Sequence, residues 1–178
     1  MSACRLYLAA PADEDVKSLR QSLQQAHDMG ADIAALRLPA NPALGKLISF
    51  AQGLNIAVLI QDDIDLAASL KADGVEVASL EAYKNARSQL GPDALIGALC
   101  GNSRHDAMAL GEAGADYIAL APDLIEWWAG LFEPACVCEL DLSLENATDM
   151  IKAGADFIRP QNWADAPALT QLIAELGA

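Results

Sequence analysis

The sequence predicts a (β/α)8 TIM barrel, an α/β fold in which eight parallel strands alternate with eight helices. The first observation is a short phrase that recurs from residues 30, 71, 114 and 154, each time after a helix-like stretch and before a strand-like one. The second is length: 178 residues, 53% of them hydrophobic, can bury one core, and no linker divides them. We therefore expect one barrel domain over residues 1–178. The chain is short for this fold, so its βα loops must be short too.

The repeated phrase explains how the units join. Its four copies read GADIAALRLP, KADGVEVA, GADYIALAP and GADFIRPQ. Glycine ends a helix at little cost because it adopts the left-handed conformation, and the apolar residues that follow begin a strand. One further strand and two helices fit between successive copies, so four copies make eight βα units. The aspartates of the phrase are predicted to be turn and cap residues at the N-terminal end of the barrel: Asp32, Asp73, Asp116 and Asp156.

Eight apolar stretches are the predicted strands. They cover residues 5–10, 32–38, 56–61, 74–78, 95–100, 117–121, 135–140 and 157–160. Helices fill the gaps, and three with clear signals run over residues 13–29, 103–114 and 143–154. Ser103 and Ser143 are predicted N-caps. Strict alternation with buried strands favours a parallel sheet, and the turn AAPADED lacks the glycines of an open nucleotide-binding sheet.

The charge of the chain excludes some classes of partner. Eleven basic residues against 25 acidic ones give a net charge of −14. Nucleic acids and anionic membrane surfaces require clustered Lys and Arg, so we expect neither as a partner. A site for a small phosphorylated molecule would have to gather a few basic residues or a metal ion. The sequence leaves open whether the chain forms a homo-oligomer.

The hydropathy and the N-terminal sequence indicate a cytoplasmic protein. No apolar run reaches the roughly 18 residues that a membrane span needs, and the first residues do not resemble a secretory signal. A disulfide framework is not expected in the cytoplasm. The four cysteines are instead predicted to be buried, unreactive thiols: Cys4, Cys100, Cys136 and Cys138.

Functional residues are expected at the C-terminal ends of the strands. Arg37 lies in an otherwise apolar strand, where a guanidinium is costly unless it faces an anion or forms a buried salt bridge with Asp62 or Glu81. The two acids follow neighbouring strands and could hold Mg²⁺ through oxygen ligands. Asp63 and Asp65 are interpreted as capping the next helix.

The stretches ALRL, LIQDDIDLAASLKADGVEVAS and AGADYIALAP occur in this order. Together they resemble thiamine-phosphate synthase and its TenI-like relatives, which are (β/α)8 barrels. The stretches SRHDAMALGEAGADY and EWWAGLFEPACV are more similar to a divergent, alphaproteobacterial-type branch. The resemblance implies a reaction in which a pyrimidine pyrophosphate loses pyrophosphate and is attacked by the nitrogen of a phosphorylated thiazole, giving thiamine phosphate.

The resemblance also implies site residues. Arg37 and Asp62 stand at the family's catalytic positions, and Gln61 takes the place of an Asn beside the pyrophosphate. Asp62 and Glu81 stand where the family binds Mg²⁺. Arg159, on the last strand, is a further candidate for holding phosphate.

Other positions depart from the family pattern. Glu76 replaces a His, the Lys-bearing loop after the sixth strand is missing, and Glu139 and Asp141 stand where the family has a Gly-Gly phosphate cradle. These departures predict a synthase whose activity is weak or lost. Two alternatives stay open. One is a non-catalytic paralogue that binds a ligand or partner. The other is a barrel isomerase or lyase that uses Asp62, Glu76 or Glu139 as acid or base.

Overall fold

The computed structural model describes residues 4–176 and contains one closed barrel of eight parallel strands. The strands are β1 Arg5–Ala9, β2 Ile33–Leu38, β3 Ala57–Gln61, β4 Gly74–Val77, β5 Leu95–Gly101, β6 Tyr117–Leu120, β7 Ala135–Leu142 and β8 Phe157–Pro160. Each strand pairs with its neighbours in chain order, and β8 closes the barrel on β1. The predicted fold is therefore confirmed.

One helix follows each strand on the outside. The helices are α1 Val16–Asp28, α2 Gly45–Gly53, α3 Ile64–Leu70, α4 Leu80–Leu90, α5 Arg104–Ala113, α6 Pro122–Ala129, α7 Leu144–Lys152 and α8 Ala166–Leu176. Short 3₁₀ turns at Pro42–Leu44 and Trp163–Asp165 precede α2 and α8. None of the helices between residues 4 and 176 combines the length and apolar character that a membrane span requires.

Capping side chains set several helix boundaries. Ser103 and Ser143 accept backbone N–H bonds at the starts of α5 and α7, as predicted, and Asp63 caps α3. Helix α1 begins three residues later than predicted because Asp15 accepts the backbone N–H bonds of Lys17 and Ser18. Strand β7 extends two residues beyond the prediction.

The aspartates of the repeated phrase lie at the N-terminal end of the barrel, as predicted, each just before an even-numbered strand. Three of them accept a hydrogen bond from the second backbone amide of the preceding strand: Asp73 from Val58 at 2.7 Å, Asp116 from Ile96 at 2.7 Å and Asp156 from Cys136 at 2.8 Å. Asp32 differs, since its carboxylate binds the guanidinium of Arg5. The repeat is thus a structural joint that recurs around the barrel.

Most of the core lies between the strands and the ring of helices. Trp128 is buried in this layer, stacks on Phe132 and donates its indole N–H to the carbonyl of Pro134 at 2.7 Å. The four cysteines are buried and free. Burial raises the pKa of the Cys4, Cys100 and Cys136 thiols to about 12, which agrees with the expectation of unreactive thiols.

Candidate functional site

The C-terminal half of the barrel interior is charged. Side chains alternate between the two faces of a strand, so each charged residue shares the inward face with a core residue two positions before it. Arg37 follows Ala35 on β2, and Glu139 follows Val137 on β7; both earlier residues belong to the apolar cluster inside the barrel. Arg159 follows Phe157 in the same way on β8. The strands therefore direct these charges toward the barrel axis and its C-terminal mouth.

Glu76 lies deepest in this group. It is the one charged side chain that is buried in the described part of the chain, with 1% of the residue exposed. Its Oε2 accepts hydrogen bonds from the hydroxyls of Tyr7 and Tyr117, both at 2.9 Å, and the two hydroxyl oxygens are 2.8 Å apart. Burial raises the pKa of both tyrosines well above its ordinary value, so both remain neutral donors.

A glycine on the neighbouring strand makes this arrangement possible. A Cβ atom at Gly97 would lie 2.0 Å from the Cζ of Tyr117 and 2.3 Å from its hydroxyl. No side chain at position 97 is compatible with the Tyr117 ring in its observed place. Gly97 on β5 therefore provides the space in which Tyr117 reaches Glu76.

Arg37 lies above Glu76, with 12% of its side chain exposed. Its Nη1 donates hydrogen bonds to Glu76 Oε1 and, at 3.2 Å, to Glu139 Oε1. Burial lowers the pKa of Arg37, but the negative charges of Glu76 and Glu139 outweigh it and hold the pKa above its ordinary value. Arg37 thus forms a buried salt bridge, which was one of the two sequence-based expectations. The expected partners, Asp62 or Glu81, were wrong, because the salt bridge is with Glu76 and Glu139.

The reason lies in the strand register. Glu76 faces inward from β4, whereas Asp62 follows the end of β3 and Glu81 lies in the first turn of α4, and both are exposed. Arg37 points into the barrel and therefore meets the inward carboxylates. The sequence does not reveal this choice, because three carboxylates, Asp62, Glu76 and Glu81, follow or lie within β3 and β4, and of these two strands only β3 pairs with β2.

Arg159 completes the charged group from β8. Its Nη1 forms an ion pair with Glu139 Oε2 at 2.9 Å, and its Nη2 forms one with Asp141 Oδ1 at 2.7 Å. The Nε of Arg159 is buried and has no hydrogen-bond partner within residues 4–176. Glu139 thus lies between the two arginines and uses one carboxylate oxygen for each.

The other predicted site residues lie on the rim. Gln61 ends β3 and pairs in register with Glu76. Asp62 adopts a left-handed backbone conformation, with φ of 53°, and its N–H donates to the carbonyl of Glu76 at 3.0 Å. Aspartate adopts this conformation more readily than most residues, and Asn55 and Lys71 also adopt positive φ in this chain. No cluster of three or more potential metal ligands occurs in the described residues, and an Mg²⁺ site at Asp62 and Glu81 stays a prediction.

A cavity of about 550 Å³ opens beside β1 and β8. Three acids line it, Glu14, Asp141 and Asp165, together with polar groups that include Gln161 and Asn162. Neither Lys nor Arg occurs among the lining residues that the structure identifies. The electrostatic character of this cavity is therefore acidic and polar.

Sequence reasoning missed two members of the site, Tyr7 and Tyr117. Both lie in apolar strands, where a tyrosine is most simply interpreted as core. A usable signal was the combination of Glu76 on the inward face of β4 with two inward tyrosines, since a buried carboxylate requires donors.

Comparisons with known proteins identify the family to which the chain belongs. The family model described as thiamine monophosphate synthase matches residues 6–124. The chain is 34% identical over 182 residues to the thiamine-phosphate synthase of Rhodospirillum centenum, covering 89% of this chain and 87% of that protein. It is 35% identical over 197 residues to that of Hyphomonas neptunium, covering 92% and 89%. The chain belongs to the thiamine monophosphate synthase family. The family is one of thiamine biosynthesis.

The barrel itself agrees with this family. The thiamine phosphate pyrophosphorylase of Pyrococcus furiosus superposes with a TM-score of 0.78 over 98% of this chain and 97% of its own, at 20% identity, which establishes the shared fold. The match to the thiamine monophosphate synthase model ends at residue 124, before β7. Glu139, Asp141 and Arg159 therefore lie beyond it, whereas Arg37, Asp62 and Glu76 lie within it.

Proposed function

We propose that this thiamine monophosphate synthase family member carries out the synthase reaction weakly or not at all. The family reaction joins a pyrimidine pyrophosphate to a thiazole phosphate and releases pyrophosphate. The observation that carries the proposal is the pairing at the mouth, where Arg37 and Arg159 are both occupied by carboxylates of the chain itself.

The charge balance at the mouth opposes phosphate binding. Three carboxylates, Glu76, Glu139 and Asp141, surround two guanidinium groups, so with all of them ionised the sum is −3 + 2 = −1. A departing pyrophosphate needs preorganised positive charge or hydrogen-bond donors. Losing one such donor costs about 3 kcal/mol of transition-state stabilisation, or at least about a hundredfold in rate. The acidic lining of the neighbouring cavity adds to the repulsion.

Within this proposal, a small phosphorylated molecule would bind at the rim with the help of Mg²⁺. Asp62 and Glu81 are exposed and supply the carboxylate oxygens that Mg²⁺ prefers, and Gln61 adds an amide. Asp62 and Glu81 would hold the ion, whose positive charge would offset the negative charge of these carboxylates and of a phosphate ligand.

A second candidate function is a paralogue that binds a ligand without turnover. The pairing at the mouth favours it, since Arg37 and Arg159 are held by carboxylates of the chain while the rim stays exposed. The centre is closed, as in other TIM barrels: Tyr7 and Glu76 are each 1% exposed and Tyr117 is 7% exposed. The same burial disfavours Glu76 as the base of an isomerase or lyase, since a substrate could not reach it without displacing Arg37. In either case we propose a cytoplasmic location, because buried free cysteines suit a reducing compartment.

Steady-state turnover tests the proposal. Purified protein would be given both precursors and Mg²⁺ beside the Rhodospirillum centenum synthase, and we expect a rate at least about a hundredfold lower. Arg37→Ala and Asp62→Ala serve as controls. A rate within about tenfold of that synthase, abolished by both substitutions, would show an active enzyme and overturn the proposal.

A further inference from the structure

Glu139 holds the two arginines of the mouth together. Its Oε1 accepts from Arg37 Nη1 at 3.2 Å, while its Oε2 pairs with Arg159 Nη1 at 2.9 Å. The three side chains are 15%, 12% and 11% exposed, so the contact is largely shielded from water yet lies at the open end of the barrel. One carboxylate between two guanidinium groups is the arrangement by which arginines bind an oxyanion ligand.

The neighbouring carboxylates do not have this geometry. Glu76 contacts Arg37 but is otherwise bonded to two buried tyrosines, and it is inaccessible from the mouth. Asp141 contacts Arg159 and is 54% exposed. In the described part of the chain, Glu139 is the one side chain that forms ion pairs with both arginines.

Removal of Glu139 would leave donors without acceptors. The Nη1 group of Arg159 would lose its ion-pair partner, and the Nε beside it already has no hydrogen-bond partner within residues 4–176. Arg37 would keep one partner, Glu76. The local charge would change from −1 to −2 + 2 = 0, counting Glu76 and Asp141 against the two arginines. Each guanidinium would keep one carboxylate partner, Glu76 or Asp141, but buried N–H donors without acceptors are costly, so a free oxyanion that paired with them would be stabilised.

We propose that Glu139 is an internal counter-anion that determines specificity. It occupies the Arg37–Arg159 pair and closes it to phosphate-bearing ligands, and substitution of this residue alone opens an oxyanion site. The inference rests on the proposed function, because it explains why a barrel of this family would handle phosphates poorly. It goes further by assigning the exclusion of phosphate-bearing ligands to one side chain, Glu139.

Binding of inorganic pyrophosphate and inorganic phosphate tests the inference. Isothermal titration at low ionic strength would compare the wild-type chain, Glu139→Ala, and Asp141→Ala as the matched control that removes a carboxylate from Arg159 alone. We expect Glu139→Ala to bind pyrophosphate at least tenfold more tightly than the other two. Its melting temperature should rise with added pyrophosphate while that of the wild type stays constant. Adding Arg159→Ala to Glu139→Ala should abolish the gain.

A second substitution of Glu139 provides an independent test of the same site. Glu139→Gln retains the side-chain volume and loses the charge, so it replaces Glu139→Ala if that variant does not fold, with a smaller gain in the same direction. Equal pyrophosphate affinity in the wild type and the Glu139 variants, or an equal gain in Asp141→Ala, would overturn the inference. The synthase assay is a separate readout: fast turnover by the wild type refutes the proposed function, whereas an inactive wild type with an unresponsive Glu139→Ala refutes the role of Glu139 alone.

Discussion

The two ends of the barrel use carboxylates in different ways. At the N-terminal end, three aspartates of the repeated phrase accept nearly identical hydrogen bonds of 2.7–2.8 Å from backbone amides. At the C-terminal end, Glu76, Glu139 and Asp141 each have a different set of partners and all contact arginines. The N-terminal end repeats one carboxylate–amide contact, whereas the C-terminal end contains a network of ion pairs between residues that are not repeated.

The carboxylates at the N-terminal end stabilise the fold, whereas those at the C-terminal end set the chemistry of the mouth. A carboxylate that accepts a backbone amide stabilises a strand pairing whatever ligand the barrel binds, and this contact recurs in three of the four copies of the phrase. A carboxylate that neutralises an arginine changes the ligands that the mouth can accept. Substitutions at the two ends should therefore lower the free energy of unfolding by different amounts. Measuring these amounts tests the comparison.

The largest expected effect is at Glu76, which is buried beneath Arg37 in the barrel interior. Glu76→Ala would leave Arg37 with one fewer buried partner and would deprive the hydroxyls of Tyr7 and Tyr117 of their acceptor. We expect the free energy of unfolding to fall by about 3–5 kcal/mol, as when a buried ion pair loses one partner. Urea unfolding measures it, with Glu76→Gln as the control that keeps the volume and should lose less. A loss below about 1 kcal/mol would mean that the network contributes little to stability.

An intermediate effect is expected at the N-terminal end. Asp116→Ala removes the acceptor of the buried Ile96 amide and a partner of Arg87, so we expect a loss of about 1–3 kcal/mol. Asp32→Ala is the matched control from the same phrase, since its carboxylate pairs with Arg5, and the two side chains are 54% and 41% exposed. That pair should contribute only about 0–1 kcal/mol. Urea unfolding measures both variants. Similar losses in free energy of unfolding would contradict the distinction between a carboxylate that accepts a backbone amide and one in a surface ion pair.

The smallest effect is expected at Asp141, which lies at the outer edge of the mouth. Its ion pair with Arg159 is short, but its side chain is 54% exposed. Asp141→Asn should therefore change the free energy of unfolding by about 0–1 kcal/mol, and high salt should shrink the difference further. Thermal unfolding at low and high ionic strength measures this. A change above about 2 kcal/mol would place Asp141 with the buried members of the network.

The fold was predictable because its signals are local and repeated. Gly114 and Gly154 end helices in the left-handed conformation, and the aspartates after them mark strand starts, so a spacing of about forty residues was enough to count the strands. The boundaries differed where a single side chain decided them. Asp15 caps α1 and shortens it, and no periodicity reveals which of several acids will act as the cap.

The site was predictable only in part. Arg37 was identified because a guanidinium in an apolar strand needs a counter-charge, and it has two. Its partners could not be chosen from the sequence, because Glu139 comes from β7, on a distant part of the barrel wall. The contact depends on how far each side chain reaches across the interior. The tyrosines were missed because their hydroxyls matter only once Glu76 is known to be buried beside them.

Gly97 and Tyr117 also bear on how this barrel can change during evolution. A Cβ at position 97 would overlap the tyrosine ring, so any larger residue there requires that the ring move or that position 117 become smaller. Either change would disturb the hydrogen bond that Tyr117 donates to Glu76. The three positions therefore form a linked set, in which a substitution at one changes what the other two can accept.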